Sequence, residues 1–178
     1  GQLCREDAHA IDVLRTHANP RVDPRGSRVL VEVEGGDLWM QDVARATFTR
    51  LTSNADVLVR FPIWTPDGRQ VLYRTTNGLR VRDADGTTEA PVVPNTSEFD
   101  YPASMAPDGD TLVFMRSSVD TSFDIYTTSL RAAGKIKPVV NTPAYEGGAR
   151  LSPDGRWLAY VSNDSGRNEI YLRPFPGP

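Results

Sequence analysis

One cysteine, Cys4, and two histidines, His9 and His17, stand in a chain of 178 residues. A single cysteine excludes an internal disulfide and any multi-cysteine metal site. Two histidines within the first 17 positions leave little for imidazole chemistry and no Ser-His-Asp arrangement beside a motif. Apolar runs never approach the roughly 18 residues of a membrane span, and no charged-then-apolar start reads as a signal peptide. Neither sign of charge dominates: 20 basic against 23 acidic residues give a net charge of −3. That balance argues against non-specific nucleic-acid binding, which runs on basic patches. Hydrophobic residues at 39% and charged residues at 24% are ordinary globular usage, so disorder is not expected. What the chain does have is turns, with 14 glycines and 14 prolines.

The turns recur. Asp23-Pro24-Arg25-Gly26, Thr65-Pro66-Asp67-Gly68, Ala106-Pro107-Asp108-Gly109 and Ser152-Pro153-Asp154-Gly155 align on one pattern, with prolines spaced 42, 41 and 46 residues apart. A period of about 40–45 residues is that of a four-stranded propeller blade. Proline presets the second turn position, aspartate bonds nearby backbone, and glycine accepts a positive φ. Asp67, Asp108 and Asp154 therefore read as turn chemistry rather than catalysis. Arg25 in the first copy is tolerable for a turn but not for a catalytic acid.

Three residues after each glycine an apolar triplet begins: Val29-Leu30-Val31, Val71-Leu72-Tyr73, Leu112-Val113-Phe114 and Leu158-Ala159-Tyr160. Further on come Asp37-Leu38-Trp39, Gly78-Leu79-Arg80, Asp124-Ile125-Tyr126 and Glu169-Ile170-Tyr171. Each repeat reads as strands A, B, C and D, with the turn between A and B. The fold class is all-β: a β-propeller of about four blades of four antiparallel strands, or a partial propeller. The repeats divide near 19–60, 61–101, 102–147 and 148–178. D strands are expected at 47–51, about 90–93 and 136–140, and the fourth repeat lacks one. Residues 1–18 form an N-terminal segment. Its stretch 11–15 resembles the ends of D strands and is a candidate closing strand; a short helix over 5–14 is the alternative.

Leu151-Ser152-Pro153-Asp154-Gly155-Arg156-Trp157-Leu158-Ala159-Tyr160-Val161-Ser162-Asn163 and Glu169-Ile170-Tyr171-Leu172-Arg173-Pro174-Phe175-Pro176 are very similar to the PD40 type of WD40-like repeat. Such repeats build the propellers of TolB-like proteins and the sensor-like propellers of bacterial serine/threonine protein kinases, which the sequence resembles most closely. Prolyl-oligopeptidase-type propellers are more distant. The resemblance covers about residues 20–178. It implies a non-catalytic interaction or sensing module that binds a protein or small ligand at the loop-rich mouth, with a regulatory propeller of a larger enzyme or a TolB-like periplasmic adaptor as alternatives. It also implies an extracytoplasmic setting, although the sequence carries no address. Family propellers have six or more blades, so closure on itself, or a homodimer completing a larger ring, is expected of four.

No Gly-x-Ser-x-Gly elbow, phosphate-binding loop or kinase motif occurs, and no cofactor is expected. Oxygen-rich B–C connections carry Asp120, Asp124, Asn163, Asp164, Asn168 and Glu169. They could hold calcium but are also ordinary turn sequences. Function on a propeller sits in loops at one mouth of the ring. The D–A connections supply Arg60, Phe99, Asp100, Tyr101, Tyr145 and Glu146 as candidate contacts for a protein or peptide partner, aromatics beside charges being common hot spots. The other reading of Phe99 and Tyr101 is that they fold back onto the neighbouring blade.

Overall fold

The computed structural model describes residues 17–53, 58–87, 91–120, 122–132 and 135–177. The stretch 11–15, the candidate closing strand, lies outside them. Fourteen strands form four antiparallel sheets. Sheet 1 holds β1 (His17–Val22), β2 (Arg28–Val33), β3 (Asp37–Asp42) and β4 (Thr47–Arg50). Sheet 2 holds β5 (Arg60–Trp64), β6 (Gln70–Thr75) and β7 (Gly78–Asp83). Sheet 3 holds β8 (Asp100–Met105), β9 (Thr111–Ser118), β10 (Ser122–Ser129) and β11 (Lys137–Val140). Sheet 4 holds β12 (Glu146–Leu151), β13 (Trp157–Ser162) and β14 (Glu169–Pro174). Strands pair in chain order, as a meander requires. The D strand of sheet 2 is reduced, among the described residues, to one bridge between Arg80 and Val92.

The turn chemistry accounts for the frame. Gly26, Gly68, Gly109 and Gly155 all have φ between 65° and 70°. Each donates its amide to the carbonyl three residues back. Asp108 accepts the amides of Asp110 and Thr111 at 2.8 Å, and Asp67 accepts that of Arg69 at 2.9 Å. In the first turn, where Arg25 stands, Asp23 takes over and accepts the amides of Ser27 and Arg28 at 2.7 and 2.8 Å. Backbone donors at 69 and the Thr65 hydroxyl hold Asp67 below the usual carboxylate range. At Asp108 burial pushes the other way, but the amides of Thr111 and Asp110 outweigh it.

Core formation follows one rule. The face of each B strand that carries Leu30, Leu72 and Val113 packs on the next sheet, which answers with Val71 and Tyr73, Leu112 and Phe114, and Leu158 and Tyr160. Sheets 2 and 3 are thus covered on both faces, which is why their B strands are apolar at consecutive positions. The rule stops at sheet 4. Leu38, Leu79 and Ile125 are 0% exposed, whereas Ile170, at the same place in its repeat, is 81% exposed. Leu172 and Trp157 on that face are 65% and 43% exposed. The four sheets therefore form an open series, not a ring in which sheet 1 packs on sheet 4.

Candidate functional site

The A strands β1, β5, β8 and β12 share a feature that the repeat pattern conceals. Each has a register shift against its B strand, between Ala18 and Arg21, Arg60 and Ile63, Pro102 and Ser104, and Gly147 and Arg150. Bulges re-aim side chains and are common beside functional sites. Asn19 and Gly148 take the left-handed conformation at the shift, as their types allow, with φ of 49° and 64°. Phe61 takes it too, with φ of 56°, which is strained for a bulky residue.

Buried acids fasten the starts of these strands. Glu32 of β2 accepts the Phe61 amide at 2.6 Å and the Asn19 side-chain amide at 2.8 Å. The Arg60 guanidinium lies 3.6 Å from the same carboxylate. Asp100 is fully buried; it accepts from Nε and Nη2 of Arg116 at 2.7 and 2.8 Å and from the Ser97 amide at 2.8 Å. The bonds that Arg116 donates to Asp100 hold its guanidinium above its ordinary value. Glu146 is buried and accepts the Thr142 hydroxyl. Burial, with Asp124 close by, pushes the Glu146 carboxyl up.

Between these anchors runs a row of aromatics. Phe61 meets Tyr101 edge-on with centroids 5.2 Å apart, Tyr101 meets Phe123 at 5.3 Å, and Phe123 meets Tyr145 at 6.0 Å. The row crosses sheets 2, 3 and 4. Arg74 lies over the Tyr101 ring at 4.7 Å. Phe99, one residue before β8, stands 54% exposed beside it. Tyr145 needs the glycine that follows Glu146: a Cβ at Gly147 would come within 2.0 Å of the Tyr145 hydroxyl oxygen.

Of the six residues expected at this mouth, Tyr101 and Tyr145 join the row and Phe99 is open to solvent. Tyr101 also packs back onto the neighbouring sheet through Phe61. Arg60, Asp100, Tyr101 and Glu146 belong to the A strands, not to loops, because pairing with Arg74, Arg116, Met115 and Ser162 extends those strands past the bulge. Asp100 and Glu146 are inner anchors, not surface contacts. Phe61, Phe123, Arg74 and Glu32 were not foreseen. An alternating pattern does not reveal which strand residues a bulge will turn outward. Among the described residues no group of three or more His, Cys, Asp or Glu side chains could hold a metal ion.

No family model matches the chain. Solved structures do. A TolB candidate from Agrobacterium tumefaciens superposes with a TM-score of 0.79 at 17% identity, over 93% of this chain and 60% of that one. This is a TolB-like propeller fold. TolB from Acinetobacter baumannii matches with a TM-score of 0.65 at 22% identity, over 85% of this chain and 40% of that one. A prolyl endopeptidase structure matches with a TM-score of 0.63 at 15% identity, over 92% of this chain and 28% of that one. The chain thus spans less than two thirds of the length of each. The open face of sheet 4 agrees with a partial propeller.

Proposed function

We propose that this chain is a non-catalytic propeller module that binds a protein or peptide at the mouth where the aromatic row lies. The row itself carries the reading. Four rings from three sheets, with exposed Phe99 beside them and Arg74 stacked on Tyr101, offer flat apolar area next to cationic donors. Aromatic and arginine side chains dominate protein-binding energetics because they bury much surface at little entropy cost. Phe61 is held in a strained conformation by Glu32, and such strain is retained where the scaffold does more than fold.

The test is selection of peptides from a displayed library against the intact chain, followed by affinity measurement on the selected sequences. Tyr101→Ala and Tyr145→Ala are expected to weaken them about tenfold or more, with the urea midpoint little changed. Peptides that bind both variants as tightly as the parent would refute the mouth as the site. Loss of folding in both would make the two tyrosines core residues.

A second reading has its own observation. The exposed face of Ile170, Leu172 and Trp157 is the face that every other sheet buries on its neighbour. Its occupant in this reading is a further blade of the same repeat type, the four sheets being an arc of a larger ring. That arc suits a regulatory propeller of a larger enzyme, of the bacterial kinase or prolyl-oligopeptidase type, or a TolB-like adaptor. The prolyl endopeptidase relative is one in which inter-domain dynamics has a role in catalysis and specificity. The sequence of the full open reading frame tests this reading, and sedimentation of the chain tests whether a second copy covers the face instead.

A further inference from the structure

The same A strands build a second, unrelated feature at their other ends. Counting back three residues from each turn proline gives Arg21, Ile63, Ser104 and Arg150. They pair with Leu30, Leu72, Val113 and Ala159, one equivalent B-strand position in every sheet. All four line a single cavity of about 360 Å³, at the end opposite the aromatic row. That volume is in the range of small-molecule sites. The rest of its wall is mainly apolar, from Val22, Trp64, Met105, Leu151 and the four turn prolines, and among the described residues no Asp or Glu lines it.

Two positive charges from sheets 1 and 4 thus face one chamber with no acid in its lining. Arg150 Nη1 donates to the carbonyls of Ala103 at 2.9 Å and Ala149 at 2.7 Å. Arg21 Nη1 donates to the Pro20 carbonyl at 3.0 Å. Carbonyls orient a guanidinium without neutralising it. Elsewhere Arg28, Arg50, Arg60 and Arg116 each face a carboxylate. Burial, and then the charge of Arg21, push the Arg150 guanidinium below its ordinary value. Like charges sharing a low-dielectric cleft focus a field that attracts anions.

We infer that this cavity binds a small organic dicarboxylate. Two carboxylates match two guanidinium forks, each able to donate paired hydrogen bonds. The apolar wall takes a carbon skeleton, which an inorganic anion lacks. The Ser104 oxygen accepts the Leu151 amide at 3.2 Å, which leaves its hydroxyl proton to donate into the chamber.

Calorimetric titration of the intact chain with succinate and glutarate at low ionic strength tests the inference, with acetate and inorganic phosphate as comparators. The dicarboxylates are expected to bind about tenfold or more tightly than either comparator, and Arg21→Gln and Arg150→Gln each to weaken them about tenfold, the worth of one charge-assisted bond. Arg167→Gln, in the exposed connection between β13 and β14 at the other end, is expected to leave them unchanged. Arg150 also ties two sheets through Ala103, so if Arg150→Gln fails to fold, Arg21→Gln alone decides. No binding of either dicarboxylate, equal binding of phosphate, or full affinity in Arg21→Gln would overturn the site.

Discussion

Removing the carboxylate of Asp100 should be among the most costly single changes outside the apolar core. The carboxylate is fully buried and accepts three bonds, two from Arg116 at 2.7 and 2.8 Å and one from the Ser97 amide at 2.8 Å. Breaking a buried pair costs about 3–5 kcal/mol when the survivor is left uncompensated. The survivor in Asp100→Ala is Arg116, whose side chain is 29% exposed and whose guanidinium lies 5.6 and 5.4 Å from the Phe114 and Tyr126 rings. Water and rings relieve part of that stranded charge, so about 2–3 kcal/mol is expected. Arg116→Ala strands the wholly buried partner instead and should cost more, about 3–5 kcal/mol. Urea unfolding followed by circular dichroism reads both. With a slope of about 2 kcal/mol/M, the Asp100→Ala midpoint falls by about 1–1.5 M. The double variant should cost clearly less than the two singles together, because the interaction is lost only once. Costs below about 1 kcal/mol for both singles, with additive behaviour in the double, would reduce the clamp to an ordinary surface pair and refute the reasoning.

Three further outcomes are expected. Glu146 has its folded-state value raised above the ordinary 4.5, so native protein holds the proton longer than unfolded chain does. Its contribution is present below that pH and is lost as pH rises through the folded value. Stability of the parent relative to Glu146→Gln should therefore decline as pH rises above 4.5, and a flat difference across pH would contradict it. Leu79→Ala should cost about 2–4 kcal/mol and Ile170→Ala under about 0.5, though the two occupy equivalent positions, because only Leu79 is covered; equal losses in thermal unfolding would mean that sheet 4 is covered in solution. Gly147→Ala should swing the Tyr145 ring off the aromatic row at a cost of about 1 kcal/mol or less, seen as a shifted Tyr145 signal in NMR spectra with the fold retained.

The repeat frame was legible because it rests on turn chemistry that is local: proline, aspartate or its Asp23 substitute, and glycine act over no more than five positions. The B and C strands followed from it with small differences at their ends. The A strands lie where the repeat puts them but begin earlier, and their bulges were hidden, because an extra residue at a bulge leaves the apolar pattern intact while changing which side chains turn outward. Hence Phe61 went unforeseen, and Asp100 and Glu146, which look like exposed hot-spot charges in sequence, prove to be buried anchors. Their partners Arg116 and Thr142 lie 16 positions downstream and 4 upstream, too variable a spacing for any one pattern. The axial set Arg21, Ile63, Ser104 and Arg150 did carry a signal, a fixed offset of three before each turn proline, but the offset has meaning only once the A strands are known to face one another.

The four bulges bear on why the scaffold keeps an uncomfortable residue. At the left-handed position of the shift, sheet 1 has Asn19 and sheet 4 has Gly148, types that tolerate the conformation. At the same distance before its turn proline, sheet 3 has Pro102, whose ring forbids a positive φ, and there the irregularity involves only the following residue, Ala103. Sheet 2 alone places a bulky side chain there, and a left-handed non-glycine residue costs about 1–2 kcal/mol. Two things in the structure offset that cost: the Glu32 carboxylate that grips the Phe61 amide, and the contact of its ring with Tyr101. Glycine would relieve the strain and keep the grip, since the amide is common to every residue but proline. What glycine could not supply is the first ring of the row. The strain is therefore borne for the ring, and the ring's partners lie along the mouth of the propeller rather than in the cores between its sheets.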